Sequence, residues 1–217
     1  MLAELLTDSE VDFSSNEEVV PMLGRHLQAP HLLPGGGRLI KTHEPYRKAY
    51  KRAIYLVRDV RDVALSFRKL RAVEGFAEEE SFEEFLAGFV EGRVAGFGSW
   101  QAHVSSWLSA PDLGADVLVV RYEELIDDTV GKLGEMAVFL GLSIDDLRLS
   151  EIVENNRPDK MRGRKTQYSQ ERMSVTVGAG TYNAWRTRYS KSELAVLEPT
   201  TRAMRRAGYA MEDGPDS

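Results

Sequence analysis

The 217-residue chain contains no cysteine, so disulfides and thiolate chemistry are excluded; a reducing, cytoplasmic setting is compatible with that. Positive charge is in deficit. The 28 Lys and Arg stand against 34 Asp and Glu, leaving a net charge of −6 and a pI near 5.4. Whole-surface attraction to nucleic acid or to an anionic membrane is therefore not expected. No apolar run approaches the length of a membrane span. The opening Met1-Leu2-Ala3-Glu4-Leu5-Leu6 lacks the basic start and long apolar stretch of a secretion signal. A Gly-x-x-x-x-Gly-Lys-Ser/Thr loop is missing, which argues against a P-loop kinase. No His/Asp/Glu cluster reads as a metal site, and no repeat or low-complexity tract occurs.

What is present describes a globular protein: 42% hydrophobic and 29% charged residues. The length suits a single domain over 1–217. Residues 1–7 read as the tail of an amphipathic helix with Leu2, Leu5 and Leu6 on one face. Its abrupt start, without a cap, leads us to expect a missing upstream segment. A loop-rich stretch runs to residue 37, with a helical turn near Glu17–Gly24. Strands are expected at Arg38–Thr42, Ala53–Val57 and Asp116–Tyr122, the last a buried parallel strand. Helices are expected from about Asp59 or Arg61 to Leu70, and over Phe82–Val90, Ser99–Leu108, Glu123–Ile126, Thr129–Leu140, Leu147–Asn155 and Lys191–Ala207. Residues 157–181, polar and aperiodic, are expected to form a mobile loop. Strand, turn and helix in that order give an α/β class.

Two strand ends carry candidate chemistry. Arg58, leaving the Ala53–Val57 run just before a helix, could fork two N–H bonds onto a phosphate. The first N–H groups of that helix, and the Ser66 hydroxyl two turns in, could add donors. The same residues read equally as surface ion pairs among Arg58, Asp59, Arg61 and Asp62 with a helix cap. His43 ends the Arg38–Thr42 run, and a neutral imidazole there suits a general base. Lys41 could neutralise charge on a leaving group. A hydrogen-bonded structural histidine ahead of Glu44-Pro45 is the plainer reading. Ligands do, however, bind at strand ends of open parallel sheets, where both runs deliver polar residues. Trp100, His103 and Trp107 share one helix face and read as core packing.

Lys41-Thr42-His43-x-Pro45 followed by Tyr55-Leu56-Val57-Arg58-Asp59-x-Arg61-Asp62-Val63-x-x-Ser66 resembles the PAPS-dependent sulfotransferases. Gly98-Ser99-Trp100-x-x-His103-Val104-x-x-Trp107 and Val120-Arg121-Tyr122-Glu123-Glu124-Leu125 extend the likeness over about residues 38–190. In texture it is similar to bacterial natural-product members. The resemblance implies a three-layer α/β fold, with a central parallel sheet flanked by helices in the P-loop-like sulfotransferase manner. It implies PAPS (3′-phosphoadenosine 5′-phosphosulfate) as co-substrate, PAP as product, and no metal. His43 then matches the catalytic base, and Arg58 and Ser66 match the residues that hold the 3′-phosphate. Tyr122 falls where the family contacts adenine, although core packing serves as well. The implied partner is a small-molecule hydroxyl acceptor, with neither nucleic acid nor membrane; a homodimer stays open.

Two departures are visible. The family's Pro-Lys-Ser-Gly-Thr-Thr-Trp type loop, which cradles the 5′-phosphosulfate, has no counterpart, since Pro34-Gly35-Gly36-Gly37 leads into a strand. The fold is thus expected to lack its first strand–loop–helix, whether through truncation or as a reduced relative that binds PAP without efficient turnover. The family's Arg-Lys-Gly-x-x-Gly-x-Trp is set against Val177–Trp185, so that Gly180 matches a cofactor-binding glycine while Gly178 and Ala179 replace the basic pair. Arg162, Arg164, Lys165 and Arg172 are candidates to compensate, although a solvated basic loop that touches no ligand is the plainer reading.

Overall fold

The computed structural model describes residues 1–7, 9–25, 28–76, 80–164, 172 and 181–210. In chain order these form α1 (Leu2–Leu5), α2 (Phe13–Val19), β1 (Arg52–Val57), α3 (Val60–Val73), α4 (Phe82–Glu91) and α5 (Trp100–Leu108). There follow β2 (Asp116–Arg121), α6 (Tyr122–Asp127), α7 (Thr129–Phe139), α8 (Asp146–Asn155), α9 (Pro158–Arg162), α10 (Lys191–Val196) and α11 (Thr201–Arg206). β1 and β2 pair in parallel, Arg52 opposite Asp116 through to Val57 opposite Arg121. A parallel pair needs a long crossover, which α3, α4 and α5 supply in the intervening sequence. The chain divides into two compact units, Glu44–Glu123 with Thr181–Ser217, and Met1–His43 with Glu124–Gly180.

The first of these units holds the sheet. Ala53, Tyr55, Val57 and Val117 pack with Phe85, Leu86, Phe89, Val104, Trp107, Trp185, Leu197 and Met204. Phe85 and Leu86 are wholly buried, and each such side chain stabilises by about 1.5–3 kcal/mol. β2 alternates more than its unbroken apolar run suggests: Val120 is buried while Val119 is 38% exposed. α4 starts on a capping box between Ser81 and Glu84 and stops at Gly92. Gly92 has φ +78°, and a Cβ there would lie 2.4 Å from the Ser99 nitrogen, so only glycine fits. The single closing helix expected over Lys191–Ala207 is instead α10, a 3₁₀ turn at Glu198–Thr200, and α11. Pro199 sits in that turn and withholds the N–H a continuous helix needs.

In the other unit, Leu133 and Ala137 of α7 meet Leu149 and Ile152 of α8 and Leu5 of α1. The strand expected at Arg38–Thr42 is not formed. Lys41 makes one parallel bridge to Met22, with its N–H 2.8 Å from the Pro21 oxygen and its oxygen 2.8 Å from the Leu23 N–H. The partner segment then turns at Gly24 (φ +81°), so pairing cannot propagate. The helical turn expected near Glu17–Gly24 lies earlier, as α2. Part of the stretch expected as a mobile loop is helical, as α9, started by Pro158 at a position where its missing N–H costs nothing.

Candidate functional site

The sheet register sets two side chains together. Since Val57 pairs with Arg121, the next residues, Arg58 and Tyr122, leave the strands side by side. The Arg58 guanidinium carbon lies 4.3 Å from the Tyr122 ring centre. Its Nη2 donates to the Thr181 oxygen at 3.2 Å and stands 3.9 Å from the Asp62 carboxylate. Its Nε is buried and, among the described residues, has no acceptor. A cation over a ring, with a donor left over, is suited to take a phosphate oxygen.

Behind Arg58 the start of α3 is a buried polar network. Asp59 caps the helix by accepting from the Arg61 N–H at 2.8 Å and also takes the Arg61 side chain, Nε to Oδ1 at 2.9 Å. That guanidinium stacks on the Trp185 ring at 3.5 Å. Asp62 accepts from the N–H groups of Asn183 at 2.7 Å and Trp185 at 3.2 Å. Glu123 accepts from the Asp59 N–H at 3.1 Å and from the Tyr209 hydroxyl at 2.7 Å. Burial pushes the Tyr209 phenol up, and its bond to the Glu123 carboxylate adds to that. The ion pairs expected among these residues exist, but Asp59, Arg61 and Asp62 are buried instead of superficial. The Arg61 N–H is also already spent on Asp59, so that donor is not left open at the helix start as expected.

Ser66 lies on α3 one turn beyond Asp62 and so shares its face. Lys41 and His43 belong to the other compact unit, both exposed, Lys41 held by its bridge to Met22. Gly180 and Lys165 lie outside the described residues. Arg164 does not fit the compensating role set for it. Its guanidinium is buried against the Glu4 carboxylate at 3.0 Å and donates to the oxygens of Val11 at 2.9 Å and Asn155 at 2.8 Å. Among the described residues no group of three or more His, Asp or Glu is placed to hold a metal ion. No described helix is long and apolar enough to cross a membrane.

The family model described as "Sulfotransferase domain" matches residues 7–202. The chain belongs to the sulfotransferase family. Mouse sulfotransferase 4A1 is 32% identical over 127 residues, covering 54% of this chain and 44% of the mouse protein. Rat sulfotransferase 2A2 is 27% identical over 180 residues, covering 75% of this chain and 62% of its own length. This sulfotransferase chain thus spans about half the length of the first curated relatives it matches. Mouse sulfotransferase SULT7A1, solved with PAP, superposes with a TM-score of 0.65 at 25% identity, over 78% of this chain and 66% of its own. Retinol dehydratase, solved with androsterone and PAP, gives 0.65 at 18% identity, over 85% and 57%; that likeness shows the fold.

Sequence reasoning missed Glu123 and Tyr209, whose partnership joins residues 86 positions apart. Asp62 carried a usable signal, standing one helical turn after Arg58 on a helix start. Tyr209 carried none.

Proposed function

We propose that this chain transfers a sulfuryl group from PAPS to a hydroxyl of a small or medium-sized acceptor, within reach of secondary metabolites. The observation that carries the reading is Arg58 laid on Tyr122 with a buried, unspent Nε, at the strand end where the sulfotransferase motif falls. Arg58 would hold the 3′-phosphate, with the Ser66 hydroxyl as a further donor, Tyr122 as a ring face, and Gly180 as the cofactor-binding glycine that the family motif implies. PAPS, when bound, supplies the sulfuryl group and a phosphate leaving group. His43 accepts the proton of the acceptor hydroxyl through a ring nitrogen, and Lys41 offsets negative charge on the leaving side. Positioning and charge neutralisation supply most of the acceleration in such transfers. A homodimer and a cytoplasmic location belong to the same reading.

The test uses PAPS and a phenolic acceptor. His43→Ala should lose roughly 10²–10⁴ in turnover while calorimetric binding of PAP is kept. Equal turnover in the variant removes His43 from the mechanism. A second reading keeps the grip on the 3′-phosphate alone. There the chain binds PAP without efficient turnover, and wild-type protein would show the binding isotherm with no sulfated product.

A further inference from the structure

The stripe of Trp100, His103 and Trp107 is more than packing. His103 and Trp107, one turn apart on α5, both reach the backbone oxygen of Glu44, Nε2 at 3.1 Å and Nε1 at 3.1 Å. A carbonyl oxygen only accepts, so His103 Nε2 carries the proton. Its Nδ1, 3.1 Å from the Tyr55 hydroxyl, must then accept from the tyrosine. Burial pushes the Tyr55 phenol up, which keeps it a donor. In the neutral ring these two partners select the Nε2–H tautomer.

The Glu44 side chain is gripped as well. One carboxylate oxygen takes Arg47 at 2.8 Å and the other takes the Tyr50 hydroxyl at 2.7 Å. The clamp itself is rigidly seated. Trp107 is stacked with Tyr50 (ring centres 5.9 Å apart) and Tyr55 (5.3 Å), with Tyr46 edge-on at 5.5 Å. Ser106 Oγ donates to the His103 oxygen at 2.7 Å and accepts from the Tyr46 N–H at 3.0 Å. Pro45 follows Glu44 and narrows its backbone further. Glu44 is thus held by its oxygen, its carboxylate and its following residue, and the residue bonded to its nitrogen is His43.

We propose that His103 and Trp107 are positioning residues for His43. By clamping the Glu44 carbonyl, which lies in the Glu44–Pro45 peptide plane, they hold the residue whose nitrogen is bonded to His43 and so restrict the backbone that carries the imidazole. The proposal rests on the reading of His43 as the base. Orientation of this kind acts on turnover and leaves donor binding alone, because neither residue is assigned a contact with the donor.

The test combines kinetics with NMR of the imidazole rings, of which the chain has four. His103→Leu removes donor and acceptor; His103→Gln restores both as an amide. We expect His103→Leu to lower kcat by roughly 10–100-fold, with KM for PAPS and PAP affinity unchanged, and His103→Gln to recover most of it. The His43 ring signals should move in His103→Leu and return in His103→Gln. Trp107→Phe, which lacks the N–H, should shift them in the same sense and serves if His103→Leu does not fold. Unmoved His43 signals in a folded variant overturn the proposal, as does a loss of PAP affinity equal to the loss of kcat. If wild-type protein transfers nothing while the His43 signals respond as stated, the clamp stands and the transferase reading fails.

Discussion

Arg61 stacks on Trp185 at 3.5 Å while its Nε donates to Asp59 at 2.9 Å, which ties the first turn of α3 to a residue 124 positions later. Tyr189 fastens the same turn by donating to the Arg61 backbone oxygen at 2.9 Å. Removing the cation leaves a buried carboxylate without its charge partner. Arg61→Met should therefore cost about 3–5 kcal/mol, the usual penalty for breaking a buried pair. Arg61→Lys should cost less, since it keeps the charge but loses the fork and the flat stack. Denaturant midpoints at constant slope would measure both; a variant as stable as wild type would contradict the assignment.

Arg58 and Tyr122 separate binding from folding. Arg58 keeps about a quarter of its side chain exposed, so Arg58→Ala should leave stability nearly intact. Its loss should weaken PAP by about 1.5–3 kcal/mol, the worth of a charged hydrogen bond. Tyr122→Phe keeps the ring face and should bind like wild type, whereas Tyr122→Ala should lose about 0.5–2 kcal/mol. Calorimetry decides, and an undiminished affinity in Arg58→Ala removes it from the phosphate site.

How far these features can be read from sequence depends on whether local pattern or distant partners decide them. The apolar run Ala53–Val57 and the Asp59 cap are local, so β1, α3 and the place of Arg58 were legible. The sulfotransferase fold was legible through the motifs on those same elements. Arg38–Thr42 has a similar local pattern, but a strand needs a partner, and Gly24 turns that partner away. Tyr122 reads as the end of β2 yet opens α6, because strand pairing stops at Arg121. Arg164 looks like a loop cation until Glu4, 160 residues earlier, meets it. The polar duty of His103 was hidden because its partners, Glu44 and Tyr55, lie 59 and 48 positions away.

Three buried tyrosines predict an alkaline limit. Burial raises the phenols of Tyr55, Tyr189 and Tyr209 above their ordinary value of 10.0, with neighbouring carboxylates adding to the rise at Tyr189 and Tyr209. The folded state therefore holds these protons longer than the unfolded chain. Their contribution is complete below pH 10 and is lost as pH rises through the folded values. Of the eight tyrosines, these three should show phenolate absorbance only as near-UV dichroism collapses. Ordinary titration of all eight with the fold intact would contradict the burial.

Acid acts on the other compact unit, through Glu4. Burial by itself would raise this carboxyl, but the Val11 N–H, the Met1 ammonium, the Asn156 amide and the Arg164 guanidinium outweigh it and hold the group below its ordinary 4.5. A depressed folded value means stability that is whole above that pH and lost as pH falls through the lower folded value. Glu4→Gln keeps the shape but not the charge, so at neutral pH it should be less stable than wild type, with the buried Arg164 left to the more exposed Glu10 carboxylate 2.9 Å from its Nε. Below the folded value wild-type Glu4 is protonated too, and the difference between the two proteins should shrink. Denaturant midpoints taken across the acid range test this directly. A gap between wild type and variant that stays constant with pH would show that the carboxylate charge is not what the Glu4–Arg164 pair contributes.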